Sequence, residues 1–109
     1  MGTRRMSVGT AGEVVAARFL ERRGVVIVDR NVRVGRDEID LIARIDGRTV
    51  AVEVKTGLGP GTRPWENFDQ EKNARIRRAA DRLSIRRIDL IAVELRTEGA
   101  VVRWLPGVG

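Results

Sequence analysis

The sequence of 109 residues contains no cysteine, no histidine and no tyrosine. The lack of cysteine excludes a disulfide framework, and the lack of both cysteine and histidine excludes a Cys/His zinc site. Hydrolase mechanisms of the Ser-His-Asp or Cys-His type lack their general base. If the protein is an enzyme, its chemistry therefore depends on carboxylates, lysine, arginine and a bound metal ion.

Long hydrophobic runs are absent as well. The uninterrupted apolar stretches are only a few residues long, so we expect no membrane-spanning segment. Near the start, Arg4 and Arg5 are followed by a segment in which Glu13 and Arg18 interrupt the apolar residues, so no signal-peptide core is predicted. We therefore expect a cytoplasmic protein.

Basic residues outnumber acidic residues by 21 to 15, which gives a formal net charge of +6. This balance favours a polyanionic partner, with nucleic acid first and a membrane surface second. Aromatic residues make up only 4% of the chain, so recognition of single strands by base stacking is poorly supported. Arginine supplies almost all of the positive charge, since lysine occurs only at Lys55 and Lys72.

The hydrophobic periodicity predicts a single α/β domain over residues 1–109, with residues 1–8 as a flexible start. Helices are expected at 10–23 and 69–83. The strand-like segments are 25–34 (with a bend at 29–31), 38–45, 48–55, 88–95 and 101–105. The predicted order of elements is α-β-β-β-α-β-β.

Local signals mark the ends of these elements. Thr10, followed three residues later by Glu13, forms a capping-box pattern that predicts the start of the first helix. Gly24 suits the position just past the end of that helix. Residues 57–64 contain three glycines and two prolines, which predicts a mobile loop after the third strand.

The Asp46-Gly47 dipeptide between two strand-like segments predicts a tight β-hairpin. With a two-residue turn at 46–47, residues whose numbers sum to 93 lie opposite each other. Asp40 then faces Glu53, Glu38 faces Lys55, and all four side chains leave the same face. The opposite face is predicted to be core, formed by Ile39, Leu41, Ala43, Ile45, Val50, Val52 and Val54.

Two interpretations of the polar face remain open. Directly opposed carboxylates repel each other, and a hard divalent cation such as Mg²⁺ would offset that repulsion. Lys55 on the same face would then lie within reach of a phosphate oxygen. Alternatively, the face is simply solvated, and Glu38 and Lys55 form an ordinary cross-strand ion pair. We favour the metal site because the central strands of a small α/β domain should be covered.

Several motifs of the chain also resemble a known family. Glu53-Val54-Lys55, preceded by Asp40 on a neighbouring strand, resembles the core of the PD-(D/E)xK nuclease superfamily. The wider pattern covers about residues 9–95 and resembles the YraN family of small bacterial proteins, which is similar in fold to archaeal Holliday-junction resolvases. Its motifs here include Gly9-Thr10-Ala11-Gly12-Glu13, Asn31-Val32-Arg33, Glu38-Ile39-Asp40-Leu41-Ile42-Ala43 and Arg86-Arg87-Ile88-Asp89.

This resemblance implies a restriction-endonuclease-like three-layer domain, with a mixed central sheet flanked by helices. It also implies a nuclease that uses Mg²⁺ or Mn²⁺ to hydrolyse phosphodiester bonds in DNA, with branched or structured DNA as an expected substrate. The implied metal ligands are Asp40, Glu53 and the carbonyl of Val54, and Lys55 is the implied catalytic lysine.

The resemblance places two further carboxylates near this site. Glu13 would reach the site from the first helix, although the capping-box role is an equally good interpretation of that residue. Glu38 is either a carboxylate outside the metal ligands or only the partner of Lys55.

Several basic residues are candidates for phosphate contacts around the carboxylates. These candidates are Arg33, Arg36, Arg63, Lys72, Arg75 and Arg78. The first functional hypothesis is therefore a metal-dependent nuclease acting on DNA. The alternatives are a non-catalytic nucleic-acid-binding module that retains the fold, and a domain that binds an acidic protein. A homodimer is left open.

Overall fold

The computed structural model of the protein describes residues 6–67 and 70–108, without the side chains of Asn67, Gln70 and Lys72. Within these residues, two α-helices, one short 3₁₀ helix and five strands follow each other along the chain. The α-helices are α1 (Val8–Glu21) and α2 (Gln70–Arg82), and a 3₁₀ helix (Pro64–Asn67) precedes α2. The strands are β1 (Val26–Val34), β2 (Asp37–Ile45), β3 (Arg48–Leu58), β4 (Arg87–Arg96) and β5 (Gly99–Leu105).

The five strands form one mixed sheet in the order β1-β2-β3-β4-β5. Strands β3 and β4 are parallel, and the other neighbouring pairs are antiparallel. A parallel pair needs a crossover connection, which α2 supplies. The helices cover opposite faces of the sheet, so the molecule has three layers. The predicted order of elements and the three-layer architecture are both confirmed. In the described part of the chain, no helix is long and apolar enough to cross a membrane.

Helix α1 begins two residues earlier than the sequence predicts. Ser7, rather than Thr10, is the N-cap, and its Oγ accepts a hydrogen bond of 3.1 Å from the Thr10 backbone N–H. Serine is a better N-cap than threonine, and Ser7 stands three residues before Thr10, so the capping-box interpretation of Thr10 and Glu13 is wrong. The side chain of Glu13 is therefore available for another role.

Each helix covers its own hydrophobic cluster. The cluster under α1 contains Leu41, Ala43, Ile45, Val50, Val52 and Val54, as the hairpin pattern predicts. Ile39 was predicted to join this set, but it packs instead in the cluster under α2, with Ile42 and Ala51. The side-chain alternation of β2 therefore breaks between Ile39 and Leu41, around Asp40.

An irregular residue of β1 lies beside this break. In the β1–β2 register, Arg30 pairs with Leu41 and Val32 pairs with Ile39, which places Asn31 beside Asp40. Asn31 has a φ of +51°, a left-handed conformation that asparagine tolerates better than most residues. The break in β2 and the left-handed residue of β1 therefore lie at the same level of the sheet.

The segment after β3 is more structured than the predicted loop at 57–64. Residues 57 and 58 continue β3, and Pro64 begins the 3₁₀ helix. The Gly59 N–H donates to the Leu95 carbonyl at 2.7 Å. The Gly61 N–H donates to Glu94 Oε1 at 2.6 Å. Arg96 pairs with the same buried carboxylate at 2.7 Å, and these contacts hold the pKa of Glu94 below its usual range.

The buried carboxylate of Asp89 links the end of β5 to β4 through hydrogen bonds. Asp89 is fully buried on β4 and accepts two hydrogen bonds of 2.9 Å from the Arg87 guanidinium. Trp104 Nε1 and the Gly107 N–H also donate to this carboxylate, at 2.8 and 3.0 Å. Four donors compensate for the loss of hydration, so this buried charge is a structural anchor.

Candidate active site

The β2–β3 hairpin has the register that its Asp-Gly turn predicts. The paired residues run from Ile45 opposite Arg48 to Leu41 opposite Val52, and each pair of numbers sums to 93. Beyond Leu41 the pairing of β2 with β3 ends, so the predicted pairs of Asp40 with Glu53 and of Glu38 with Lys55 are not part of the ladder. The Val54 N–H instead donates to Asp40 Oδ2 at 2.8 Å. The Asp40 carboxylate therefore takes the place of a backbone acceptor and is fixed against β3.

Carboxylates from two distant parts of the chain meet at this point. Oxygen atoms of Glu13, Glu38 and Asp40 all lie within 4.8 Å of one another. Glu13 comes from α1, which approaches β3 so closely that a Cβ at Gly12 would overlap with the Thr56 side chain. The close approach of α1 therefore allows Glu13 to reach the sheet.

Asn31 lies between two of these carboxylates, a contact that the sequence analysis missed. In the amide orientation that satisfies both of its polar atoms, the Asn31 nitrogen donates to Glu13 and to Glu38 at 3.0 Å each. Its left-handed backbone conformation turns the strand at this position. In the sequence, Asn31 stands out only through the Asn31-Val32-Arg33 motif of the family resemblance. The sequence analysis predicts a bend at 29–31 and no contact of Asn31 with the carboxylates.

Glu53 and Lys55 complete the group on the β3 side. Lys55 Nζ lies 3.3 Å from Glu53 Oε1, and both side chains are largely buried. The alternative interpretation of this face predicts an ion pair between Glu38 and Lys55. In the structure, Lys55 pairs with Glu53 instead. We call Glu13, Glu38, Asp40 and Glu53 the acidic cluster.

Burial raises the pKa values of three carboxylates in the acidic cluster, Glu13, Asp40 and Glu53. Burial, followed by the charge of Asp40, raises the pKa of Glu13 from 4.5 to about 7. The same two causes raise the pKa of Glu53 from 4.5 to about 7, although Lys55 opposes the increase. Burial also raises the pKa of Asp40, against the opposing effect of the Val54 hydrogen bond. The protein therefore collects more negative charge here than its own donors compensate.

The composition and geometry of the acidic cluster fit a metal ion. Its ligands are carboxylate oxygens, which hard divalent cations prefer, and three of the carboxylates are close enough together to share one ion. A divalent cation would also offset the repulsion that raises the pKa values. Val54 contributes its N–H to the site through Asp40. Its carbonyl remains a predicted ligand.

The candidate phosphate-binding residues are not all at the site. A cleft of about 490 Å³ is lined by three members of the acidic cluster, by Asp37 and Lys55, and by the predicted residues Arg36, Arg75 and Arg78. Arg33 and Arg63 do not line this cleft, and Arg63 pairs with Glu66 at 3.0 Å in the segment before α2. The predicted contact through Lys72 falls on a side chain outside the described residues.

Comparison with known proteins finds relatives along most of the chain. The model of a family described as "Uncharacterised protein family UPF0102" matches residues 12–93. A UPF0102 protein of Syntrophotalea carbinolica is 40% identical and covers 98% of this chain and 94% of the relative. A UPF0102 protein of Roseiflexus castenholzii is 37% identical, with coverage of 97% and 95%. A UPF0102 protein of Beutenbergia cavernae is 44% identical, with coverage of 94% and 96%.

Proposed function

This chain belongs to the uncharacterised protein family UPF0102, which confirms the resemblance to YraN proteins, and we propose that it is a metal-dependent nuclease acting on DNA. The observation that carries the proposal is the meeting of Asp40, Glu53 and Lys55 in one cleft. Carboxylates with raised pKa values beside a lysine suit the binding of a divalent cation and a phosphodiester together.

We assign metal binding and charge stabilisation to different residues of the site. Asp40 and Glu53, with the carbonyl of Val54, would hold the cation, and Glu13 would add a carboxylate from α1. A bound Mg²⁺ or Mn²⁺ would supply Lewis acidity towards a phosphoryl oxygen and a water molecule. Lys55 stands 3.3 Å from Glu53, where its ammonium can orient the phosphate and stabilise the developing negative charge.

The position of Glu38 supports a role that differs from that of Glu53. Glu38 is exposed and accepts a hydrogen bond from Asn31, which also contacts Glu13. Although the Glu38 carboxylate is close enough to Glu13 and Asp40 to join an ion there, its contact with Asn31 favours a supporting role at the edge of the site, where it keeps Asn31 and Glu13 in position.

The arginines that line the cleft support a nucleic-acid substrate. Arg36, Arg75 and Arg78 line the same cleft as the carboxylates, so phosphates on either side of the hydrolysed bond can meet guanidinium groups there. We propose DNA as the substrate, and branched or structured DNA as the form to test first, because of the similarity to Holliday-junction resolvases.

The proposal is tested by cleavage assays on linear and four-way-branched DNA with Mg²⁺ or Mn²⁺. We expect metal-dependent cleavage that falls at least about 100-fold in Asp40→Asn and in Lys55→Gln, since each loses charge stabilisation in the transition state. Asp46→Asn, in the exposed turn at the other end of β2, is the matched control and should retain full activity.

Two outcomes would contradict the proposal. Undiminished cleavage by Asp40→Asn would show that the activity does not come from this site. Salt-sensitive DNA binding without cleavage under any metal condition would favour the non-catalytic nucleic-acid-binding module instead.

A further inference from the structure

A second groove opens next to the candidate active site. It has a volume of about 240 Å³ and is lined by Gly35, Arg36, Asp37, Arg78 and Arg82. Three of these residues also line the larger cleft with the acidic cluster. The two depressions therefore form one continuous path across the start of β2 and the side of α2. We call the smaller one the arginine groove.

The backbone at Gly35 makes room for one of the arginines. Gly35 has a φ of +63°, and a Cβ built on it would lie 2.6 Å from Arg82 Nη1. A larger residue would therefore displace the guanidinium of Arg82 from the β1–β2 turn. A basic residue in the last turn of a helix has a general stabilising effect on the helix dipole. That effect does not depend on the position of the guanidinium beside Gly35.

The arginine groove contains one negative group among three positive ones. The Asp37 carboxylate is largely buried, with 18% of its side chain exposed, and lies 3.5 Å from Arg78 Nη2. Arg36 and Arg82 line the same groove, so its lining carries a net charge of +2. A carboxylate that shares a groove with three guanidinium groups and pairs with one of them occupies a position that suits a phosphate.

We propose that the arginine groove binds a backbone phosphate of the nucleic acid, adjacent to the bond at the acidic cluster, and that Asp37 competes with this phosphate. The inference rests on the proposed function for the identity of the partner. In the free protein, Asp37 satisfies part of the positive charge. When nucleic acid binds, the phosphate takes over the contact with Arg78, so Asp37 lowers the affinity.

The test is binding of a fluorescently labelled duplex DNA by anisotropy, with EDTA present so that no cleavage occurs. Asp37→Asn should bind roughly three- to tenfold more tightly than the unmodified protein, because the competing charge is gone. Arg82→Gln should bind roughly three- to tenfold more weakly, with a salt slope reduced by about 1.

The matched controls are Asp46→Asn and Arg48→Gln at the β2–β3 turn. They make the same changes in net charge about 30 Å away along β2, at about 3.4 Å per residue. Each should change the affinity by less than about twofold. Misfolding only weakens binding, so it cannot reproduce the tighter binding expected of Asp37→Asn.

The inference is overturned if Asp37→Asn binds no more tightly than Asp46→Asn, or if Arg82→Gln binds as well as Arg48→Gln. The absence of any DNA binding at low salt would overturn it as well. The nuclease proposal fails separately: the expected affinities without metal-dependent cleavage would leave the arginine groove in place and remove only the catalytic function.

Discussion

Replacing Glu53 by glutamine should stabilise the metal-free protein at neutral and higher pH. The folded chain holds the Glu53 proton more tightly than the unfolded chain, because burial and Asp40 raise the pKa from 4.5 to about 7. Between pH 4.5 and about pH 7 the folded state binds more protons than the unfolded state, so the free energy of unfolding falls as the pH rises. Above about pH 7 the full cost of the ionised carboxylate is present, and Glu53→Gln removes it.

The size of the effect follows from the pKa and the ion pair. A tenfold change in an acid constant corresponds to about 1.4 kcal/mol, so an increase from 4.5 to about 7 sets an upper limit of about 3 kcal/mol. The lost 3.3 Å contact with Lys55 is already included in this limit, because Lys55 opposes the increase in the pKa. A gain of up to about 3 kcal/mol should raise the Tm by up to roughly 20 °C.

The assay is thermal and urea unfolding with EDTA at about pH 8 and about pH 5. The gain should appear at the higher pH and be absent or reversed at the lower pH, where the carboxyl group is protonated. Glu66→Gln, at an exposed ion pair with Arg63, is the control and should change stability by less than about 0.5 kcal/mol. A less stable Glu53→Gln at about pH 8, or an equal gain at both pH values, would refute the reasoning.

Divalent cations provide a second measurement on the same variant. If Glu53 is a ligand, Mg²⁺ at 100 times its Kd should stabilise the unmodified protein by about 2.7 kcal/mol. The stabilisation should be larger at about pH 8 than at about pH 5, because the ligands must lose their protons to bind. Glu53→Gln should lose most of this response. An undiminished response would place the ion elsewhere.

Two further predictions concern packing. Asp89→Ala should lower the free energy of unfolding by about 3–5 kcal/mol, because four donors lose a buried acceptor. The loss is measured from the urea midpoint. The control Asp81→Ala, at an exposed residue, should lose under about 0.5 kcal/mol, and similar losses in both variants would contradict the anchor role of Asp89. Gly12→Ala should lower the free energy of unfolding by about 1–3 kcal/mol, because the added Cβ overlaps with Thr56. Gly9 has open space around it, so Gly9→Ala should raise the free energy of unfolding by up to about 1 kcal/mol. Equal shifts of the Tm in the two variants would be inconsistent with the close approach of α1 to the sheet.

The hairpin register was predictable because two independent signals agree on it. The Asp46-Gly47 turn requires a two-residue connection, and the alternation on both strands places the same side chains in the core. A slip of one residue would expose that whole apolar set. The element order was predictable for a similar reason, since each strand and helix carries its own periodic pattern.

The details of the candidate site that sequence reasoning missed depend on contacts between distant elements. The φ of Asn31 and its donation to Glu13 and Glu38 require β1, β2 and α1 to be in place together. The helix cap at Ser7 was missed because Thr10 offered a similar local pattern. Local periodicity contains no information on either point, whereas the resemblance to a family placed Glu13 near the site.

The broken alternation around Asp40 connects the fold to the candidate chemistry. An unbroken strand would keep Ile39 and Leu41 on one face, whereas here they belong to opposite clusters. The turn of the chain between them places Asp40 where α1, β1 and β3 converge, and so collects the acidic cluster at one point. Three donors, from Asn31, Val54 and Lys55, compensate only part of its charge. The residual repulsion is a cost of folding that a bound cation would remove, so the same residues should weaken the metal-free protein and strengthen the metal-bound one.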